Sequence, residues 1–130
     1  MITFSYTILY VSDVARSMDF YQSAFGFKPK FRSPENDYGE LISGTTTLAF
    51  ASLDLASSNL KKGFIRSEIQ GKPFGIELGF VSENLAETLA HALSCGGVIY
   101  EEMVEKPWGQ TVAYLRDLDG FLIELCSPME

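Results

Sequence analysis

The chain repeats itself, and this internal repeat limits the folds open to it more than any other feature. A segment that begins at Tyr6, shifted by 71 positions, superimposes on a segment that begins at Glu77. In this alignment Asp13 falls on Asn84, and a later glycine of the first copy falls on a glycine of the second. Repetition on this scale predicts two structural modules of the same kind. The alternative is a single unrepeated α+β domain with chance similarity.

Each copy of the repeat begins with an alternating strand and continues into an amphipathic helix. Apolar residues recur at helical spacing in both copies, and these are Val14, Met18 and Tyr21 in the first and Leu85, Leu89 and Ala92 in the second. Asn84 is a good N-cap, and Glu87 three residues later completes a capping box. Gly26 and the pair at 96–97 are expected to end the helices in a left-handed conformation.

Three strand-like runs follow each helix. They are expected at about 27–33, 38–43 and 46–52 in the first copy, and at about 98–105, 109–116 and 120–126 in the second. The chain is therefore predicted to be a single α+β domain, 1–130, built from two βαβββ modules. Module 1 spans about 1–52 and module 2 about 74–130, and they are joined by a Ser-, Gly- and Lys-rich linker over 53–73 that could hold a short helical turn.

Composition and charge exclude several classes of protein. The net charge of −7 argues against a nucleic-acid partner, and no apolar run approaches the roughly 20 residues that a membrane span needs. The N-terminus lacks the pattern of a signal peptide. Cys95 and Cys126 have no disulfide-framework spacing, so we expect reduced thiols in a cytoplasmic protein.

Two motifs carry a resemblance to a known superfamily. "VSDVARSMDFYQSAFGF" opens the first module and "RDLDGFLIEL" closes the second, and together they resemble the glyoxalase / bleomycin-resistance / extradiol-dioxygenase proteins, the vicinal oxygen chelate superfamily. The resemblance covers nearly the whole chain. It implies that the two modules form a curved mixed sheet around a cavity, in a homodimer. Metal-dependent members hold a divalent ion there with histidines and glutamates from the first and fourth strands of each module.

The residues of this chain depart from that metal site. By the resemblance, the four ligand positions are Tyr6, Ala49, Glu77 and Glu124, of which only Glu124 matches the superfamily's glutamate. An error of one register would replace Ala49 by Leu48. Two carboxylates and a phenol suit only a hard ion such as Mg²⁺ or Ca²⁺. We therefore expect no metal and no cofactor.

Glu124 stands between Ile123 and Leu125 in a run that is otherwise apolar. Two interpretations are open: Glu124 faces the cavity together with Glu77, or it is a structural acid satisfied by backbone amides or by an arginine, Arg32 or Arg116. If the two acids are neighbours, one pKa should be raised. The pair would then be an acid/base couple or would hold a cationic or hydroxyl-rich ligand.

Aromatic residues supply the remaining candidates for ligand binding. Tyr6 and Tyr10 share a strand face by the two-residue period. Trp108, the only tryptophan, lies in a Pro-Gly loop and either binds a ligand or packs against the linker or a dimer mate. Aromatic rings beside carboxylates favour a cationic or aromatic organic molecule.

Three functions compete at this stage. The first is a small-molecule-binding protein without a transition metal that holds an organic ligand in an acidic, aromatic cavity. The second is a metal-dependent lyase, isomerase or transferase of the glyoxalase I type. The third is a metal-free acid/base enzyme that uses Glu77 and Glu124, so it is uncertain whether the chain is an enzyme.

Overall fold

The computed structural model describes residues 1–129, and the chain divides into two compact units, Met1–Arg66 and Ser67–Glu130. Unit 1 contains the elements β1 (Tyr6–Val11), α1 (Val14–Phe25), β2 (Lys28–Arg32), β3 (Tyr38–Ser43), β4 (Thr46–Ser52) and α2 (Leu53–Asn59). Unit 2 contains β5 (Glu77–Val81), α3 (Leu85–Ser94), β6 (Val98–Glu105), β7 (Thr111–Arg116) and β8 (Leu122–Cys126). The last residue of the predicted second module, 130, lies outside the described residues.

The two units share one topology. Unit 1 has the strand order β1-β4-β3-β2 and unit 2 the order β5-β8-β7-β6. In each sheet the first and fourth strands pair in parallel and the other neighbours pair antiparallel. The predicted α+β fold of two βαβββ modules is therefore confirmed.

The strand registers of the two units also correspond. Ile8 pairs with Ala49 in unit 1, and Gly79 pairs with Glu124 in unit 2. Because residues 8 and 79 are related by the sequence repeat, Ala49 occupies the position of Glu124, and Leu48 does not. The strand pairing thus decides the one-residue ambiguity that the sequence left open.

Each sheet buries one face against its helix, as the two-residue period of a strand requires. In unit 1 the helix α1 packs on β3 and β4, with Met18, Tyr21, Leu41 and Phe50 fully buried. In unit 2 the helix α3 packs on β8, where Ile123 and Leu125 are fully buried. Glu124, the residue between them on β8, therefore points to the other face of the sheet.

The helix ends agree with the prediction at two of three places, and Asp13 supplies a cap that was not predicted. Asp13 caps α1 by accepting a hydrogen bond from the amide of Arg16 at 3.1 Å, and Gly26 ends that helix with a φ of 73°. Gly96 follows α3 with a φ of 115°. The predicted side-chain cap of Asn84 is wrong: its side chain makes no capping hydrogen bond, and its ψ of 65° is not that of the usual extended N-cap.

Residues 53–73, predicted as a linker, are divided between the two units. The first part forms the short helix α2, whose N-cap Ser52 accepts a hydrogen bond from the amide of Leu55 at 3.1 Å. The last part belongs to unit 2, where Arg116 fastens residues 68–71 to the sheet. Within residues 1–129, no helix has the length and apolar character of a membrane span.

Candidate functional site

Two carboxyl groups meet on the face of the unit 2 sheet that points away from α3. Glu124 lies in β8 and Glu77 begins β5, the neighbouring parallel strand. Gly79 is the direct partner of Glu124, so Glu77, two residues earlier, shares the face of Glu124. Gly79 has no side chain to stand between them. The structure therefore brings together the two acids on which the sequence prediction centred.

The two carboxyl groups interact directly. The pKa of Glu77 is raised above its usual value, first by loss of solvent around the carboxyl and then by the negative charge of Glu124. A hydrogen bond between the two carboxyls raises this pKa further. The direction of the shift means that Glu77 holds a proton to a higher pH than an isolated glutamate, because its pKa is raised.

Tyr114 and Cys126 complete the cluster around Glu124. Tyr114 is the antiparallel partner of Glu124, and its hydroxyl donates to Glu124 Oε2 at 3.1 Å. Burial, this hydrogen bond and the charges of both acids raise the pKa of Tyr114. Cys126 lies two residues beyond Glu124 on the same face, and its pKa is raised by burial, then by the charge of Glu124 and a hydrogen bond to it. Both groups therefore remain neutral donors at neutral pH.

Neither Tyr114 nor Cys126 was singled out from the sequence as a site residue. The partner of Glu124 was nevertheless readable, because the turn over 117–120 fixes the register of β7 against β8. Counting back from that turn pairs Arg116 with Leu122 and Tyr114 with Glu124. Cys126 was readable from the two-residue period of β8.

Arg116 does not neutralise Glu124, which removes one form of the structural interpretation. Its buried guanidinium donates to four backbone carbonyls, those of Glu68, Ile69, Gly71 and Gly120, at distances of 2.6–3.1 Å. The side chain thus holds residues 68–71 against the turn that follows β7. Glu124 instead has a tyrosine, a thiol and a second carboxyl as its hydrogen-bond partners.

In unit 1 the corresponding face carries different chemistry. Tyr6 begins β1 and is 49% exposed, whereas Ala49 is fully buried and supplies no polar group. Tyr10 packs edge-on against Phe64, with ring centroids 4.9 Å apart. Ile8 is the direct partner of Ala49, so Tyr6 and Tyr10, two residues to either side of Ile8, share the face of Ala49.

A second polar cluster on unit 1 was missed from the sequence. Glu40, the antiparallel partner of Ala49, accepts a hydrogen bond from the hydroxyl of Tyr38 at 2.6 Å and lies 4.0 Å from the ammonium of Lys30. Lys30 also donates to Thr47 Oγ1 at 3.2 Å. The pKa of Tyr38 is strongly raised by burial and then by Glu40. Unit 1 therefore carries its acid, Glu40, on the strand next to Ala49, which is the equivalent of Glu124.

Trp108 is not part of the carboxyl cluster. Its turn is closed by hydrogen bonds from the amide of Lys106 to the carbonyl of Gln110 and from the amide of Gly109 to the carbonyl of Lys106. Trp108 lines a separate cleft of about 420 Å³, together with Gln110 and Ser127, beyond the end of β8. Neither Glu77 nor Glu124 is among the lining residues of this cleft, and a ligand-binding role for Trp108 stays a prediction.

Comparison with known proteins places this fold in a family. The glyoxalase-like domain matches residues 4–130 of the chain. The chain belongs to this family. No curated protein matches it.

Several solved structures have the same fold. A glyoxalase-related enzyme from Fulvimarina pelagi is 19% identical, with a TM-score of 0.82 over 98% of this chain and 89% of the other. A glyoxalase/bleomycin resistance protein/dioxygenase family enzyme from Burkholderia phytofirmans PsJN is 21% identical, with a TM-score of 0.77 over 95% and 96%. A lactoylglutathione lyase from Agrobacterium tumefaciens is 18% identical, with a TM-score of 0.71 over 98% and 94%. At these identities the likeness concerns the fold alone.

The residues at the superfamily's ligand positions do not fit a transition metal. Among residues 1–129 there is no group of three or more His, Cys, Asp or Glu side chains arranged to hold a metal ion. Glu77 and Glu124 offer only carboxyl oxygens, whereas transition metals favour imidazole or thiolate ligands, and Ala49 has no donor atom. His91, the only histidine, lies in α3 with its ring nitrogen 3.7 Å from the sulfur of Cys95. That the protein works without a metal stays a prediction.

Proposed function

We propose that the chain is a small-molecule-binding member of the glyoxalase-like family that works without a transition metal. We further propose that the organic ligand binds at the Glu77–Glu124 pair. The observation that carries this proposal is the convergence of four polar side chains from three strands on one face of a sheet. Glu77, Tyr114 and Cys126 all interact with Glu124, which is only half-buried. A structural acid also needs hydrogen-bond partners, but it does not need a second carboxyl beside it, because two like charges in contact repel.

The chemistry of the pair indicates the class of ligand. Two carboxyls in contact favour either a retained proton or a nearby positive charge. A cationic ligand, or one that donates hydrogen bonds, would replace the proton and stabilise both carboxylates. The net charge of −7 would attract such a molecule. For unit 1, taken by itself, we propose Tyr6, Tyr10 and Ala49 as ligand-contacting residues on one face of its sheet.

The proposal is tested with an aromatic amine and a neutral counterpart. Benzylamine should raise the melting temperature of the wild type, whereas benzyl alcohol at the same concentration should raise it less. Glu124→Gln should lose the difference between the two compounds, and Glu102→Gln, which removes an exposed acid of β6, should keep it. Small molecules released by denaturing the purified protein should be identified by mass spectrometry. An equal response to both compounds, with no amine or hydroxyl-rich compound released, would refute the proposal.

A second candidate function is metal-free acid/base catalysis. The raised pKa of Glu77 beside Glu124 is the observation that favours it, since one carboxyl can donate a proton while the other accepts one. If the molecule that co-purifies with the protein is converted on incubation, Glu77→Gln and Glu124→Gln should each abolish the conversion. Glyoxalase I-type chemistry, the other alternative, is separated by metal analysis: stoichiometric Zn²⁺, Ni²⁺ or Fe²⁺ in untagged protein would revive it.

We also propose that the chain forms a homodimer in the cytoplasm. Analogy with the superfamily supports the dimer, and so does the edge strand β6. It exposes large apolar side chains, and these are Val98, Tyr100, Met103 and Val104. An apolar edge strand left in water invites pairing with another chain.

A further inference from the structure

The cleft at the end of β8 in unit 2 has the features of a second binding site. It measures about 420 Å³, which is within the usual size of small-molecule pockets. Its lining combines one indole, one carboxylate and several uncharged groups, and it includes Glu83, Trp108, Gln110, Ser127, Pro128 and Met129. All of them belong to unit 2, and neither Glu77 nor Glu124 is among them.

The indole of Trp108 is held in place with its faces open. Its ring N–H donates to Gln110 Oε1 at 2.9 Å, and Gln110 Nε2 in turn donates to the carbonyl of Ser127 at 2.8 Å. The ring edge is therefore fixed to the end of β8, yet the side chain remains 60% exposed. A large aromatic ring kept in water by a defined hydrogen-bond chain is preorganised for a ligand, because little side-chain freedom remains to be lost on binding.

The charge of the cleft selects the ligand. Of the described lining residues, Glu83 is the one that carries a charge, and it is exposed. Indole offers the strongest cation–π surface among the aromatic side chains. The thioether of Met129 and the ring of Pro128 add an apolar wall. An indole face, a carboxylate and an apolar wall together match an organic cation that carries its charge within alkyl groups.

We propose that this cleft binds a quaternary or alkylated ammonium group, stacked on Trp108 and paired with Glu83. The site is separate from the Glu77–Glu124 pair. The lining of the cleft includes neither Glu77 nor Glu124, and the Gln110 amide bonds to Trp108 and Ser127, both of which line the cleft. The proposal therefore does not depend on what the carboxyl pair binds, and either can fail without the other.

Choline and its neutral carbon isostere, 3,3-dimethylbutan-1-ol, provide the test. Because Trp108 is the only tryptophan, the protein has a single indole N–H resonance that reports on this cleft. Titration with choline should shift this resonance saturably, whereas the neutral alcohol should shift it much less. Glu83→Gln keeps the indole probe and should weaken choline binding about three- to fivefold, the loss expected for one charge pair at a solvated surface.

Matched variants complete the experiment. Glu87→Gln removes the same charge four residues further along the chain, in the first turn of α3 and outside the lining of the cleft, and should leave choline affinity within about twofold. Trp108→Leu should abolish the saturation transfer from protein to the choline methyl groups. The proposal is overturned if choline and the alcohol act alike, if Glu87→Gln weakens binding as much as Glu83→Gln, or if Trp108→Leu still saturates choline.

Discussion

The raised pKa of Glu77 beside Glu124 leads to a specific prediction for Glu77→Gln. Above its raised pKa, Glu77 ionises, and the wild type then holds two carboxylates in contact. Glutamine at this position keeps the volume, carries no charge and donates an N–H to Glu124 as the protonated acid does. We therefore expect Glu77→Gln to stabilise the protein at neutral pH.

The size of the effect follows from the positions of the two groups. Two unit charges about 4 Å apart repel by about 1 kcal/mol in water and by about 4 kcal/mol at an effective dielectric constant near 20. Glu77 is exposed and Glu124 half-buried, so screening by solvent reduces the repulsion to about 0.5–1 kcal/mol. For a chain of this length that corresponds to a rise of about 2–4 °C in melting temperature.

The pH dependence gives the same prediction a definite sign. Between the usual value of 4.5 and the raised pKa of Glu77, the folded chain binds more protons than the unfolded chain. The stability of the wild type therefore falls as pH rises through this window. Glu77→Gln removes this loss, so the gap between mutant and wild type should open above pH 4.5 and close below it.

Thermal melts of three proteins across pH 4–8 provide the measurement. Glu35→Gln serves as the control, because it makes the same change in net charge at an exposed position in the turn between β2 and β3, outside the edge strand β6. Its gain should be small and should follow no step in pH. The repulsion between Glu77 and Glu124 would be refuted if Glu77→Gln melted at or below the temperature of the wild type at pH 7. It would also be refuted if the difference in melting temperature between the two proteins did not change with pH.

Three further predictions concern the frame of the site and the assembly. Arg116→Met should destabilise unit 2 by about 2–4 kcal/mol, since four carbonyl acceptors lose their donor, and limited proteolysis should cut within 68–71. The stability of Arg116→Lys should fall between those of the wild type and Arg116→Met. An Arg116→Met protein that resists cleavage within 68–71 would contradict the assignment. Gly39→Ala should lower the free energy of unfolding by about 1–3 kcal/mol in chemical denaturation, because its Cβ would lie 2.3 Å from Met18 Sδ. The control Gly75→Ala meets no atom within 4 Å and should lower it far less. Similar losses for the two variants would count against this packing. Sedimentation should show a dimer at micromolar concentration, and Val104→Lys on the edge strand should weaken it; a monomeric wild type would exclude the proposed dimer.

The sequence by itself determined the elements of the fold and their faces. Strand alternation, helical spacing and turn glycines act over a few residues, so β2, β3, β4 and the strands of the second copy lie close to where their patterns predicted them. The same local rules placed Glu124 opposite the buried face that carries Ile123 and Leu125. The 71-residue repeat placed Glu77 at the start of the equivalent of β1, and strand pairing made the two acids neighbours.

Only the tertiary structure decided which groups meet. Three of the four carbonyls that Arg116 holds lie 45–48 residues away along the chain, and Gln110 reaches the carbonyl of Ser127 across 17 residues, so no local pattern encodes these contacts. Trp108 was grouped with the glutamates because aromatic rings beside carboxylates suit an organic ligand, and only the folded chain shows that it lines a cleft together with Gln110 and Ser127. Asn84 has the residue type of an N-cap, but its ψ of 65° lies outside the usual extended range and its side chain makes no capping hydrogen bond. Residue type and spacing specify the strands, whereas the partners of each polar side chain depend on backbone paths that only the packed chain defines.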